Sequence, residues 1–172
     1  MEKQKEQIVE AIDHAKADLA GLSKNIHDNP ELGFEEVKAA GFISDVLEKH
    51  GFQVQKGYGG LSTSFRADAK GKEGGPTIAF LAEYDALKGV GHGCGHNLIA
   101  GIGIAAGEAL KSIADDIGGT IRVMGTPAEE NFGGKVHMAN AGLFDDVDAA
   151  LMVHPGTKNG LGGKSNAINP VK

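Results

Sequence analysis

The chain has 172 residues, 41% of them apolar, with 17 Lys+Arg against 23 Asp+Glu and a formal net charge of −6. That length supports one domain with a real core, and the acidic balance argues against a nucleic-acid partner, which needs a clustered positive surface. The charged start MEKQKEQIVE is not a signal peptide, no apolar run approaches the ~18 residues of a membrane span, and the single cysteine forbids an internal disulfide, so a reducing cytoplasm is expected.

Ile8, Ile12, Ala15, Leu19, Leu22 and Ile26 form one apolar stripe on a 3.6-residue repeat, predicting a first helix that Asn29-Pro30 ends. A second helix is expected from Glu35 to His50, with Gly51 at its C-terminal cap. The period then shortens. Gln53–Gln55 and Leu61–Ala67 read as short strands around the glycine-rich turn 57–60, and the KGKEGGP stretch at 70–76 reads as a loop. Thr77–Leu81, Thr120–Met124 and Ala149–Val153 are continuous apolar runs of buried-strand type. Between them, Asn97–Ile113 reads as a helix opened by an Asn cap, and Gly133–Ala141 as a short helix. Glycine is the compositional outlier, at 27 residues, and suits tight strand–loop–helix junctions.

From Thr77 onward strands alternate with helices. This predicts an α/β fold with a mostly parallel sheet flanked by helices. Ligands of such sheets bind beyond the carboxyl ends of the strands. Three polar clusters fall there: Glu83-Tyr84-Asp85, Thr126–Glu130 and His154-Pro155. The stretch GHGCGHN at 91–97 lies on the same rim, between the first of these strands and its helix. Cys94, His96, Glu130 and His154 would therefore converge. A thiolate, two imidazoles and a carboxylate suit a divalent ion such as Zn²⁺, and the glycines at 91, 93 and 95 let the backbone wrap closely. Glu129, adjacent to one candidate ligand, is placed to take a proton from water that the metal activates. Asp85 could orient a ligating histidine from behind.

Taken singly, each of these residues also has an ordinary structural reading. Cys94 reads as a small buried side chain, Glu129-Glu130 as an acidic helix start, and Asp85 as a turn residue. A thiol hydrolase with Cys94 as nucleophile and His96 or His154 as base is a further alternative, as is a non-catalytic binding module. Gly101, Gly103 and Gly107 faintly mimic a dinucleotide loop, but their GxGxxxG spacing inside a helix predicts close helix–sheet packing instead.

LGFEE (32–36), AEYDAL (82–87), GHGCGHNL (91–98), PAEENFGGK (127–135) and MVHP (152–155) occur in an order that resembles the metallo-amidohydrolases related to aminoacylase and carboxypeptidase G. The resemblance is strongest to the branch of hippurate hydrolase, the auxin-conjugate hydrolases and aminobenzoyl-glutamate hydrolase, and Asn97 stands where many members have Asp. It implies two divalent ions, Zn or Mn. Their ligands would be Cys94, His96, Glu130 and His154, with Glu129 as general base and Asp85 in support. The implied reaction is hydrolysis of an amide in a small N-acyl amino acid or dipeptide substrate. Members of this family are about twice as long. They carry an inserted dimerisation domain and a further histidine ligand near the C-terminus. Residues 1–155 are thus expected to be the N-terminal part of a two-metal catalytic domain, and 156–172 a connector toward the inserted domain. The full-length protein would be a homodimer, and the 172 residues alone would turn over poorly.

Overall fold

The computed structural model describes residues 1–156; the connector expected at 156–172 lies outside the described residues, save Gly156. Twelve elements follow one another among them: α1 (Glu2–Asp28), α2 (Val37–Lys49), β1 (Gln53–Lys56), a 3₁₀ turn (Tyr58–Gly60), β2 (Phe65–Lys70), β3 (Thr77–Ala82), α3 (His96–Lys111), α4 (Ala114–Ile117), β4 (Thr120–Gly125), α5 (Glu129–Phe132), α6 (Gly134–Asn140) and β5 (Ala149–Leu151). The sheet order is β1-β2-β4-β3-β5. β4, β3 and β5 are parallel, as the strand–helix alternation predicts, while β1 and β2 add an antiparallel flank. The path from β3 goes to one neighbour, β4, and then returns across to the other, β5. The strand order therefore reverses around β3, which is where open α/β sheets bind ligands.

Helices cover both faces. On one, Leu22 and Ile26 of α1, Ile43 and Leu47 of α2 and Ile104 of α3 pack on Phe65, Ala67 and Val123 of the sheet. On the other, Met138 of α6 packs on Ala79 and Met124, with Leu143, Phe144 and Val147 at the margin. Successive residues of β4 alternate between these layers, as strand geometry requires. The same alternation turns Arg122 toward the second face, where it is fully buried. Its guanidinium donates to Asp68 Oδ1 at 2.8 Å and to Asp146 Oδ1 at 2.6 Å, so the charge is neutralised by two carboxylates.

The structure corrects several sequence expectations. Leu61–Ser64 is not strand: the Ser64 hydroxyl donates to the carbonyls of Tyr58 and Leu61 and ties the segment into a turn, so β2 starts at Phe65. Asn97 does not cap α3. The helix begins at His96 after the left-handed Gly95, and the Asn97 amide instead donates to Ser23 of α1 at 3.1 Å. The run at Ala149–Val153 is not a buried strand. Only Ala149–Leu151 pairs, with β3 alone among the described residues, and all three residues are exposed. Gly103 and Gly107 of α3 sit against the sheet, as expected: a Cβ at Gly103 would lie 2.9 Å from the Leu81 carbonyl oxygen, and one at Gly107 would lie 2.6 Å from Val123; Gly101 instead faces Leu19 and Ser23 of α1 at 3.9 Å, not the sheet. No helix among the described residues is long and apolar enough to cross a membrane.

Candidate active site

The site is built at the carboxyl ends of β3, β4 and β5. His96 is its centre. The ring is 1% exposed, and its Nδ1 meets Asp85 Oδ1 at 2.9 Å. The other Asp85 oxygen accepts the Glu130 backbone N–H at 2.9 Å, so one buried carboxylate ties the His96 ring to the loop that carries the glutamate pair. Burial pushes the Asp85 pKa up, but its bonds to His96 and the Glu130 amide outweigh this and hold it below the usual value. An ionised Asp85 places the ring proton on Nδ1 and leaves Nε2 free to accept an ion.

Nε2 faces three carboxylates. Glu83 Oε2 lies 3.3 Å away, Glu130 Oε1 3.5 Å and Glu129 Oε2 4.0 Å. Burial disfavours charge on His96, yet the Asp85 bond and then the charges of Glu83 and Glu130 outweigh it, so its pKa is raised. The surroundings thus call for a cation at Nε2. His96 Nε2 and Glu83 Oε2 are both buried and have no hydrogen-bond partner among the described residues. A divalent ion bound between them would satisfy both, and the residues present fit one. Glu83, His96 and His154 offer ligand atoms within 4.8 Å of one another, as do His96, Glu129 and Glu130.

Of the sequence-predicted ligands, His154 belongs to the first of these groups and Cys94 to neither. The His154 ring stands edge-on to His96 with centroids 6.2 Å apart, and its Nδ1 lies 2.8 Å from the Pro155 carbonyl oxygen, which leaves Nε2 for an ion. Cys94 is half-buried, two residues before His96. The Glu130 carboxylate, followed by burial, pushes its thiol up to about 11, so an uncoordinated Cys94 is a neutral thiol at pH 7 and a poor nucleophile. Gly95 lets the chain turn between them: its φ is +79°, and a Cβ there would lie 2.7 Å from the Pro155 ring. Beside Cys94 opens a cleft of about 420 Å³ lined by His27, His92, Asn97, Leu98 and Pro155. Its size is that of a small-ligand site.

Two parts of the site have no assigned role in the sequence reading. One is Glu83, on the rim but without partner or function there. The other is the LGFEE stretch, which turns out to support the glutamate pair. Glu36 is completely buried and accepts hydrogen bonds from the Thr63 hydroxyl at 2.8 Å and the Ala128 N–H at 2.7 Å. Ala128 precedes Glu129 in a left-handed conformation, φ 58°, which an alanine holds only when its surroundings enforce it. Phe34 stacks on Phe132 at 5.4 Å, and a Cβ at Gly33 would lie 2.9 Å from Ala128. A carboxylate at the start of a helix gives no sign of this role from spacing alone, since its partners are 27 and 92 residues away.

The family model "Peptidase family M20/M25/M40" matches residues 75–171, a span that includes Glu83, Asp85, Cys94, His96, the glutamate pair and His154. The chain belongs to this family. It is 42% identical to the Xaa-Arg dipeptidase of Mus musculus, over 92% of this chain and 40% of that protein. It is 38% identical to a p-aminobenzoyl-glutamate hydrolase subunit of Escherichia coli, over 86% of this chain and 34% of that protein. Among solved structures it matches a Bacillus subtilis M20 peptidase, described as dinuclear metal binding, with TM-score 0.70 and 30% identity, covering 78% of this chain and 42% of the other. The chain thus spans about 40% of the length of these M20 relatives.

Proposed function

We propose that this chain carries the metal-binding half of a hydrolase that cleaves an amide bond in a small N-acyl amino acid or dipeptide. The observation that carries the reading is the pair of buried, unpartnered atoms His96 Nε2 and Glu83 Oε2, set among carboxylates at the strand ends of an M20 fold. The names of the M20 relatives, a dipeptidase and an aminobenzoyl-glutamate hydrolase, support the substrate class.

Cys94, His96, Glu130 and His154 would hold two divalent ions, Zn²⁺ or Mn²⁺. When bound, such ions polarise the amide carbonyl and lower the pKa of water at the site. Asp85 fixes the His96 ring and, through the Glu130 amide, the position of the loop. Glu129 is the more exposed of the two glutamates, with 41% of its side chain accessible against 18% for Glu130. It is free to accept a proton from the attacking water and to pass it to the leaving amine, while Glu130 stays at the ligand position. The cleft beside Cys94 would receive the substrate. A cytoplasmic setting, where Cys94 stays reduced, fits this chemistry.

Because the chain spans about 40% of its relatives, we read turnover by the 172 residues alone as weak. The test is hydrolysis of N-acetyl amino acids and dipeptides by the chain joined to the remaining segments of a family relative. Activity removed by a chelator, restored by Zn²⁺ or Mn²⁺, and reduced at least ~10²-fold by Glu129→Gln is expected. Activity that resists chelators and is lost on alkylation of Cys94 would overturn the metal reading in favour of a thiol mechanism.

A further inference from the structure

We propose that Glu83 is a direct ligand of the metal centre, its second oxygen pinned by Lys135 so that Oε2 alone faces the ion. The inference rests on the metal centre proposed above and adds a ligand to which the sequence pattern gives no role.

Glu83 is the first residue after β3 and its side chain is 2% exposed. A carboxylate buried this deeply needs compensation at both oxygens. Lys135, in the first turn of α6, pairs with Oε1. Oε2 has no hydrogen-bond partner among the described residues and points to the equally unpartnered Nε2 of His96 at 3.3 Å. Two oxygen or nitrogen ligands on a tetrahedral ion at ~2.0–2.1 Å stand about 3.3–3.5 Å apart. Glu83 Oε2 lies 3.3 Å from His96 Nε2, a ligand-to-ligand separation. His154 completes the set with Glu83 and His96 inside 4.8 Å. Lys135 also offsets one negative charge in a site that already holds Glu129, Glu130 and Asp85.

The experiment uses the full 172-residue chain and Zn²⁺ itself. Zinc affinity is measured by competition with a chromogenic chelator, and thermal unfolding is recorded with and without Zn²⁺, for the unaltered chain, Glu83→Gln and Glu83→Asp. Glu83→Gln is expected to weaken binding of one ion by at least ~100-fold, beyond the ~10–100-fold that follows loss of a group that only supports a ligand, and to shrink the zinc-induced rise in Tm. Glu83→Asp, which withdraws the carboxylate by one methylene, should lose several-fold. A folded variant of either kind with unchanged zinc affinity overturns the assignment. So does an equal drop in Tm with and without Zn²⁺, which marks a purely structural ion pair with Lys135. Failure of the unaltered chain to bind Zn²⁺ would instead remove the metal centre as a whole.

Discussion

Replacing Glu36 by alanine strands the Ala128 N–H in a fully buried position, 92 residues away in sequence and one residue before Glu129. An unsatisfied buried donor costs about 1–3 kcal/mol. The lost methylene contact adds about 1 kcal/mol. Glu36→Ala should therefore lower the unfolding free energy by about 2–4 kcal/mol. Glu36→Gln keeps the volume and an acceptor for Ala128, and the Thr63 hydroxyl can turn to accept from the amide, so its cost should be about 1 kcal/mol. Urea unfolding followed by far-UV circular dichroism measures both. The two variants also differ from the unaltered chain in pH dependence. Burial, opposed by its hydrogen bonds, raises the Glu36 pKa above the ordinary 4.5. The folded state then holds this proton to higher pH than the unfolded state. Its contribution is fully present below pH 4.5 and is lost as pH rises through the folded-state pKa. Glu36→Gln should flatten that fall in stability. A cost below about 1 kcal/mol for alanine, equal costs for both variants, or an unchanged pH slope in Glu36→Gln would show that Glu36 does not hold the Ala128 N–H in this way.

Gly103→Ala drives a Cβ to 2.9 Å from the Leu81 carbonyl oxygen, so α3 must shift off the sheet, and a loss of about 1–3 kcal/mol in urea unfolding is expected. Asp68→Ala leaves the buried Arg122 with Asp146 alone and should cost about 3 kcal/mol in the same measurement. Burial pushes the Asp68 pKa up, but Arg66 and Arg122 outweigh it and hold it below 3.8, so its contribution is present above pH 3.8 and is lost as pH falls further; acid titrations of the two chains should converge there. Gly95→Ala forces a side chain onto φ +79° and against Pro155, which should destabilise the chain by about 1–2 kcal/mol and weaken zinc binding by moving His154.

Much of the architecture is legible because its signals are local. The 4,3,4,3,4 spacing from Ile8 to Ile26 marks the face of α1 that packs on the core, where Ala15, Leu22 and Ile26 are buried, although Ile12 near its start is exposed. TIAFL and TIRVM mark two adjacent parallel strands, and the glycines of α3 are needed where they touch Leu81 and Val123. The errors come where a local rule competes with a distant partner. Asn97 has the chemistry of a helix cap, but α1 supplies Ser23 and the glycine before His96 takes over the turn. Arg122 sits inside an apolar run that reads as uniformly buried; two aspartates from β2 and from the segment before β5 make its burial possible. Ala149–Leu151 has the composition of a core strand and the exposure of an edge. In the candidate site, Asp85, Cys94, His96, Glu130 and His154 share strand ends that the alternation of elements predicts. Glu83 and Glu36 do not stand out, because what distinguishes them is an orphaned oxygen and a 92-residue hydrogen bond, neither of which leaves a spacing in the sequence.

In the proposed function Cys94 and its neighbours bind a divalent ion rather than serve as an ordinary loop and helix start. Without an ion the Glu130 carboxylate keeps the Cys94 thiol protonated, with a pKa of about 11, whereas coordination deprotonates it outright. Titration of the chain with Co²⁺ at neutral pH reads this directly. Saturable binding is expected, with a sulfur-to-cobalt charge-transfer band that Cys94→Ser abolishes. Co²⁺ binding without that band, or a band that survives Cys94→Ser, would contradict it.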